Sequence, residues 1–402
     1  MGRREKHSLK IAYEPRSILD VLKKMKNISS LMMDLSYYSF LYNNKEIAEK
    51  VLELEDEVDR LNYLLIMNGT LAVRDREDAE AIAGLIQIGN ALELISNASA
   101  DVSKIVLDDL APTDLVKKAF KEAEEVVASL VVREDSELVG KKLEYIENMD
   151  VFIDVIAMKK KSGEVILDPD SNAKIEAGDT LIVRGIEEMV DKLFKMNGQK
   201  GFTYSLPYKE PSGKKIVGED ILIDRIIEMK DKVELMLDLA YSAVMLNDKT
   251  IAEQVVQLEN YFDWLHDDFE FLVLSLIGED VDKSNIIALL RLGISAENMA
   301  DGAYKIAEIV IRGLQPHPIL KRVIDESEEF LTVYKVKSSS LLVGKTIGEL
   351  EDKFGIQVVA LDRKGHYFFD VDEDFEVKDG DILIIRGFKE AKEDLYNTFN
   401  NP

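Results

Sequence analysis

The chain has 402 residues, a formal net charge of −26 at pH 7 and no cysteine. One core does not organise a chain of this length, so we expect two to four domains. The lack of cysteine excludes disulfides, thiol catalysis and cysteine-ligated metals, and the acidic excess argues against nucleic acid as a partner.

Three amphipathic helices are predicted in the first quarter of the chain. Apolar residues at helical spacing begin at Ile18 and lead to a break at Asn43-Asn44. A second stripe covers residues 47–65. We expect Asn68-Gly69 either to turn the chain or only to bend it, and residues 75–107 predict a third helix.

Strands are predicted after a short charged helix that begins at Pro112, where proline suits the first turn. Segments 130–135, 151–158 and 179–185 have the composition of strands, and residues 160–163 are typical of a hairpin turn. A short helix near residues 187–195 closes this part. No apolar run approaches the roughly 18 residues that a membrane span needs.

The whole arrangement occurs twice. IAEKVLELEDEVDRL (47–61) and IAEQVVQLENYFDWL (251–265) share eight of fifteen residues at an offset of 251 − 47 = 204. GDTLIVRG (178–185) and GDILIIRG (380–387) share six of eight at an offset of 202, so the second strand region has lost two residues. Duplication of one helical and one strand unit follows.

Carboxylates four residues apart recur in the duplicated helices. Such a pair lies on one helix face and repels itself, which costs stability unless a cation or a basic group lies between the two. The first copy has Asn97 where a fourth carboxylate would complete the pattern. The candidate site residues are Glu55, Asp59 and Glu93 in the first copy, and Glu259, Asp263, Glu297 and Asp301 in the second.

These residues make the helical regions resemble PhoU domains, three-helix units whose metal-binding signature is an acidic residue, three others and then Asp. The strand regions resemble the C-terminal half of RCK domains, also called TrkA-C, through LVGKKL (138–143), LVGKTI (342–347) and the closing GDTLIVRG and GDILIIRG. TrkA-C domains are regulatory modules of potassium channels and other cation transporters. Some of them dimerise and bind a small ligand in the cleft.

The resemblance implies an α+β multidomain fold, in which two PhoU-like antiparallel helical bundles alternate with two small RCK-C type α/β domains. We expect a homodimer, because strand modules of about 60 residues bury little surface alone and pairing within or between chains would cover their remaining apolar face. The expected domains are 14–127, 128–196, 218–330 and 331–398, with a linker at 197–217.

Two interpretations of the carboxylates remain open. One is a solvated helix face in an acidic protein. The other is a divalent or ferric metal ion between neighbouring helices, since such ions prefer oxygen ligands. His266 follows Asp263 by three residues and could face the same metal, but the first copy has Asn62 there. A ferritin-like oxidase needs Glu-x-x-His from two helices, so it is disfavoured.

Nucleotide binding is not expected. No Gly-x-Gly-x-x-Gly follows a strand, so the nucleotide-binding half of an RCK domain is missing and no NAD should bind. Gly178-Asp179 and Gly380-Asp381 could be phosphate-binding turns, but a tight turn explains them.

In the second copy, the predicted helix that carries Glu259 and Asp263 is richer in aromatic residues than its counterpart in the first copy. Core packing is the default explanation, whereas an apolar excess at exposed positions would mark a subunit contact. Tyr261, Phe262, Trp264, Phe269 and Phe271 stand where the first copy has Glu57, Val58, Arg60, Leu65 and Met67.

The resemblance implies a soluble, non-enzymatic regulator of cation (potassium) transport, expected from an archaeal source. It would sense a small ligand or ion and contact the cytoplasmic face of a membrane cation transporter, without spanning the membrane itself. The protein would be cytoplasmic, or peripheral to the membrane through that transporter. The alternative is a metal-binding PhoU-type protein of phosphate signalling, in which the RCK-C domains serve dimerisation. A metalloenzyme is a third interpretation.

Overall fold

The computed structural model describes residues 11–110, 125–147, 153–201, 219–277, 281–314, 317–325, 327, 329–338, 340–369 and 371–388. In the first copy, helices α1 to α3 precede four strands and two short helices. The elements are α1 (Ile18–Tyr42), α2 (Lys45–Ala72), α3 (Arg76–Leu107), β1 (Glu125–Val131), α4 (Glu144–Glu147), β2 (Asp154–Lys159), β3 (Val165–Leu167), β4 (Thr180–Ile186) and α5 (Glu187–Met196).

In the second copy the described elements follow the same order as far as the fourth strand, and a short helix before the first strand is described as well. Its elements are α6 (Glu219–Leu246), α7 (Lys249–Ser275), α8 (Lys283–Ile311), α9 (Ile319–Asp325), β5 (Glu329–Lys335), α10 (Ile347–Phe354), β6 (Ile356–Arg363), β7 (His366–Phe369) and β8 (Ile382–Phe388). The predicted helix at Pro112, its counterpart Pro316 in the second copy, and most of the 197–217 linker lie outside the described residues.

The break predicted at Asn43-Asn44 is confirmed. Asn43 has a left-handed backbone with a φ of 48°, a conformation that asparagine adopts more readily than most residues. The side chain of Asn44 accepts a hydrogen bond from the backbone N–H of Ile47 and thereby caps α2. Asn247 and Asp248 repeat the same break in the second copy, so the local sequence sets this helix hairpin twice.

Glycines let α3 approach α2, and α8 approach α7. Asn68-Gly69, where either a turn or a bend was expected, does not turn the chain, because α2 continues through both residues. A Cβ on Gly89 would lie 2.3 Å from Cδ2 of Leu65, and a Cβ on Gly293 would lie 2.9 Å from Cε1 of Phe269. These close approaches bring the carboxylate-bearing helices of each bundle together.

Each strand region forms one four-stranded antiparallel sheet, with the orders β1-β4-β2-β3 and β5-β8-β6-β7. The predicted hairpin at residues 160–163 joins β2 to β3, and the predicted closing helix is α5. The α+β multidomain fold class is confirmed. The first strand starts at Glu125, five residues before the predicted segment.

Both faces of the central strands β4 and β8 are buried. Leu181 and Val183 lie in the core of their own module, whereas Ile182 lies in the core shared with the helices. In the second copy, Ile384 lies in the core shared with the helices. This is expected from the alternation of side chains along a strand. The helical bundles of the same chain therefore cover the face that was expected to need module pairing. The homodimer stays a prediction, and light scattering of the purified protein would test it.

The two bundles pack on each other through α3 and α8. A Cβ on Gly302 of α8 would lie 2.5 Å from Cγ1 of Ile95 on α3, so the missing side chain lets the two helices touch. Buried residues of all six long helices belong to one continuous core. The two copies thus form a single packed body around this contact.

Candidate functional site

In the first copy the predicted site residues lie along α2 and α3. Asp59 and Glu93 come together across the two helices, while Glu55 lies one turn before Asp59. Burial raises the pKa of Glu93, the hydrogen bond from Asn62 lowers it, and the nearby charge of Asp59 raises it further. Asn62 also donates to Oδ1 of Asn90 at 3.1 Å. An amide therefore bridges the two helices here.

In the second copy three of the four predicted carboxylates interact. Burial raises the pKa of Glu259, and the charges of Asp263 and Asp301 raise it further. Asp301 also lies 3.6 Å from Nζ of Lys305. Glu297 contacts a different residue, the imidazole of His266, at 3.1 Å from Nδ1. The antiparallel packing that was expected to bring these helices face to face is present.

His266 occupies the place that Asn62 has in the first copy. Its side chain is buried, and it lies against Glu297, the counterpart of the Glu93 that Asn62 contacts. Its Nε2 is 3.7 Å from Oε1 of Glu270. The two copies therefore use a polar residue at this position to join neighbouring helices, which accounts for His266 without a metal.

The described side chains do not form a ready metal site. Among the residues that the structure describes, no group of three or more His, Asp or Glu side chains is placed to hold a metal ion. Glu297 is engaged by His266 and Asp301 by Lys305. The structure does not gather the seven predicted ligands into one cluster, and the metal site stays a prediction from the sequence.

The raised pKa of Glu259 gives a prediction for stability. Its folded-state pKa lies above the ordinary value of 4.5, so ionisation disfavours the folded state and stability is lost as pH rises through the folded pKa. We expect Glu259→Gln to raise the free energy of unfolding at pH 7 by roughly 0.2–0.5 kcal/mol, the size of a like-charge pair one turn apart. The gain should vanish below about pH 4.

Urea unfolding at pH 7 and pH 4 measures this gain. Glu253→Gln is the matched control, because Glu253 lies on the same helix but pairs with Lys249 at 3.4 Å. That variant should gain nothing at either pH. A Glu259→Gln protein that is less stable at pH 7 would contradict the prediction.

A polar pair that sequence reasoning missed joins each sheet to its bundle. Oδ2 of Asp34 on α1 lies 2.7 Å from Nη1 of Arg184 on β4. Oδ2 of Asp238 on α6 lies 3.4 Å from Nε of Arg386 on β8. The Asp34 and Arg184 side chains are only 12% and 9% exposed. Each arginine is a charged residue on the sheet face that packs against helices, and we call these the two Asp–Arg pairs.

The two Asp–Arg pairs line one cavity of about 50 Å³ between the copies. Lys26 of the first bundle crosses it, with Nζ 5.2 Å from the ring centre of Tyr241 on the second. Arg184 also contacts Asp154 at 3.3 Å. Residues of both helical modules and of both strand modules therefore line this cavity.

A signal for the Asp–Arg pairs was present in the duplication. Asp34 and Asp238 correspond at the offset of 204 and each stands in an apolar stretch, while Arg184 and Arg386 are among the shared residues of GDTLIVRG and GDILIIRG. A charge kept inside an apolar segment points to a buried partner. The sequence does not say which residue that partner is.

The Gly-Asp turns are structural. Gly178 and Gly380 have φ values of 90° and 87°, a region that favours glycine. Asp179 is buried and accepts hydrogen bonds from the backbone N–H groups of Lys161 and Glu176 at 3.0 and 2.9 Å. Burial would raise the pKa of Asp179, but hydrogen bonds led by that from Lys160 outweigh burial and lower it. The tight-turn interpretation is confirmed.

Family models match both kinds of module twice. The PhoU domain model matches residues 22–106 and 226–310, and the TrkA-C domain model matches residues 127–198 and 331–400. The chain carries two PhoU domains and two TrkA-C domains in alternation. Both are families of regulatory rather than catalytic domains. The PhoU matches contain all seven predicted carboxylates, and the TrkA-C matches contain both arginines of the Asp–Arg pairs.

Solved structures with some likeness include a PhoU crystal structure from Pseudomonas aeruginosa, at 11% identity over 73% of this chain and 96% of that one, with a TM-score of 0.39. The GsuK channel bound to NAD matches at 11% identity over 76% of this chain and 65% of that one, with a TM-score of 0.19. The GsuK RCK domain matches at 11% over 76% and 78%, with the same TM-score. Scores this low do not bear on what the chain binds.

No curated protein matches the chain. Within the described residues, none of the helices combines the length and the apolar character that crossing a membrane requires.

Proposed function

We propose that the protein is a non-enzymatic regulator of cation transport, with potassium as the expected cation, that senses a small ligand or ion through its TrkA-C domains. The observation that supports this most is the seating of each TrkA-C sheet on its own PhoU bundle through a buried Asp–Arg pair. A sensor and a helical module joined in this way are suited to pass on a change of state.

The Asp–Arg pairs would transmit a ligand signal because they are discrete contacts within a close-packed interface. A ligand shifts a conformational equilibrium only by its different affinity for the two states. If ligand binding favours a sheet position in which Arg184 leaves Asp34, the helix α1 that carries Asp34 must adjust. The second copy has the same contact between Arg386 and Asp238.

The expected partner is the cytoplasmic side of a membrane cation transporter. Cytoplasmic loops of membrane proteins carry an excess of Lys and Arg. A protein with a net charge of −26 is electrostatically suited to such a surface. On this proposal the protein works in the cytoplasm and reaches the membrane through the transporter.

Disruption of the gene in its host, followed by potassium and phosphate uptake measurements, tests the proposal. Potassium uptake should change severalfold, since allosteric couplings are commonly worth about 5- to 150-fold, and a plasmid copy should restore it. Phosphate uptake should stay the same. Unchanged potassium uptake would reject the proposal, and a change in phosphate uptake alone would favour the alternative.

The alternative is a metal-binding PhoU-type accessory protein of phosphate signalling, whose TrkA-C domains serve dimerisation. Crowded carboxylates support it, because the pKa of Glu259 is raised by burial and by Asp263 and Asp301. Carboxylates that repel one another favour a bound cation over a solvated face. A divalent or ferric ion is the expected metal, with Glu259, Asp263, Glu297 and Asp301 as its ligands in the second copy.

On this alternative, Asp263→Asn or Asp301→Asn should lower the metal content of the purified protein at least severalfold. Glu93→Gln should matter less, because Asn97 already removes one carboxylate from the first copy. A metal that binds the folded state alone also raises the melting temperature. Elemental analysis and melting with millimolar manganese, magnesium or ferric iron measure both effects. Protein without metal, and unchanged melting, would leave the carboxylates as a solvated face.

A further inference from the structure

One side of α7 carries large apolar residues that face solvent. Tyr261 is 37% exposed, Trp264 51%, Phe271 73% and Leu274 48%. Their spacing of three, seven and three residues keeps them on one side of the helix. We call these four residues the apolar stripe. Phe262 and Phe269 of the same helix are buried in the core, so the aromatic residues of α7 fall into a core set and an exposed set.

The first copy provides an internal comparison. Its counterparts of the buried Phe262 and Phe269 are Val58 and Leu65, and both are buried as well. Core packing therefore explains the positions that are apolar in both copies. It does not explain the stripe, which is apolar in the second copy and mostly polar in the first. The counterparts of the stripe are Glu57, Arg60, Met67 and Thr70.

In the first copy the matching side of α2 is a polar surface. Glu57 pairs with Lys24 at 2.5 Å and with Arg60 at 3.8 Å. The segment before α1 lies against this side, because Asn68 Nδ2 donates to the carbonyl oxygen of Glu14 at 3.1 Å. The same bundle position therefore needs no apolar cover to be stable, and the stripe is an addition particular to the second copy.

The border of the stripe is acidic. Asp263 is exposed beside it, Glu270 is half-buried, and the exposed Asp267 lies on the same face as the stripe, one turn after Trp264 and one turn before Phe271. Arg225, a cation next to it, pairs with Asp268 at 2.8 Å and lies 5.6 Å from the ring centre of Trp264. An occupant that fits this surface has apolar residues that meet the stripe and basic residues that meet the carboxylates beside and within it.

Charge selects among the occupants. A second copy of the chain would bring the same acidic border against this one, and like charges facing each other disfavour association. Anionic lipid surfaces attract basic protein segments and repel an acidic one. A basic amphipathic segment of another protein has the complementary charge and an apolar side that matches a helix face.

We propose that the apolar stripe docks a basic amphipathic helix of a partner protein, laid along α7. This rests on the proposed function, because the partner it names is the Lys- and Arg-rich cytoplasmic segment of a transporter. Each aromatic residue offers about 150–250 Å² when fully buried. Three partly exposed ones with Leu274 form a patch on the scale of about 300–600 Å², at which apolar surface is often functional.

Trp264 makes the test direct, because it is the single tryptophan of the chain. The probe is a synthetic helical peptide of Leu and Lys at amphipathic spacing, without aromatic residues, added to the full-length protein. Docking should shift the Trp264 emission to shorter wavelength in a saturable way. A Leu/Glu peptide of the same pattern and a Lys/Ser peptide of the same charge should give no shift. Absence of a shift with the Leu/Lys peptide would overturn the proposal.

The matched variant replaces three stripe residues by those of the first copy: Tyr261→Glu, Trp264→Arg and Phe271→Met. Net charge is unchanged, so a loss of binding reports the apolar contact and not the overall charge. Anisotropy of a fluorescein-labelled Leu/Lys peptide should show binding at least about tenfold weaker, as for loss of central aromatic anchors. The control, Glu57→Gln with Arg60→Gln in the first copy, also keeps the net charge and should bind as the wild type does. Equal binding by wild type and matched variant would overturn the proposal.

Other occupants give different results, each of which would reject a basic partner helix. A wild type that is dimeric by light scattering while the matched variant is monomeric would identify a second copy. A shift of Trp264 emission with anionic vesicles would identify a lipid surface. Trp264 shielded from acrylamide in the free protein would mean that the chain covers its own stripe. If the matched variant restores potassium regulation in the disrupted host, the stripe is not the docking surface, whereas the proposed function in cation transport is retained.

Discussion

Replacing Asp34 by alanine is expected to destabilise the first copy by about 3 kcal/mol, the lower end of the cost of breaking a buried ion pair. The Arg184 side chain is only 9% exposed, so the substitution leaves its guanidinium buried and short of one carboxylate. The lower end applies because Asp154 still contacts Arg184 at 3.3 Å. Urea unfolding followed by circular dichroism measures the change.

Two variants separate the ion pair from general damage. Asp154→Ala should cost much less than Asp34→Ala, because the Asp154 side chain is 38% exposed and exposed pairs contribute about 0–1 kcal/mol. Asp34→Ala combined with Arg184→Met should cost less than the sum of the single changes, because no buried charge is then left behind. Strictly additive effects would mean that the two side chains do not act as a pair.

Replacing Gly302 by valine is expected to destabilise the contact between the two bundles by about 1–3 kcal/mol. An added Cβ would lie 2.5 Å from Cγ1 of Ile95 and 3.2 Å from the backbone oxygen of Ala91. The side chain of Ile95 can shift, but the backbone oxygen of Ala91 cannot move aside unless the helix α3 moves with it. The new side chain should therefore push the helices apart, and limited proteolysis should cut the variant faster than the wild type.

Gly84→Ala is the control at the same interface. Its Cβ would meet Cγ2 of Ile309 at 3.7 Å, which is ordinary van der Waals contact. Since alanine is favoured over glycine in a helix by about 0.8–1.0 kcal/mol, this variant should be neutral or more stable. Equal loss of stability in Gly84→Ala and Gly302→Val would show that close packing of α3 on α8 is not what holds the bundles together.

Much of the fold was predictable because it depends on local pattern. Apolar periodicity marked the long helices, and Asn43-Asn44 carried the chemistry of the break between α1 and α2. The alternation of helical and strand regions followed from the duplication. The covered sheet face was also present in the sequence, since the apolar run at residues 181–183 is typical of a strand buried on both sides. That run already opposed the expectation that a second module is needed to cover the sheet face.

The parts of the site that depend on distant residues were not predictable. Asp34 and Arg184 are 150 residues apart in the chain, and their contact follows from how a sheet seats on a bundle. Spacing correctly placed Glu259 and Asp263 on one helix face. The spacing does not show that His266 pairs with Glu297, or that Lys305 pairs with Asp301. Only packing decides which neighbour a carboxylate meets.

Amide hydrogen exchange of the full-length protein, wild type against Asp34→Ala, tests most directly whether each sheet and its bundle act as a coupled unit. Cooperative units open together, and exchange reports the free energy of that opening. Coupling predicts that α1 and the strands β1 and β4 lose protection together, while α6 and β8, which keep Asp238 and Arg386, lose much less. Loss of protection confined to the residues around position 34, with β1 and β4 unchanged, would contradict coupling through the Asp–Arg pair.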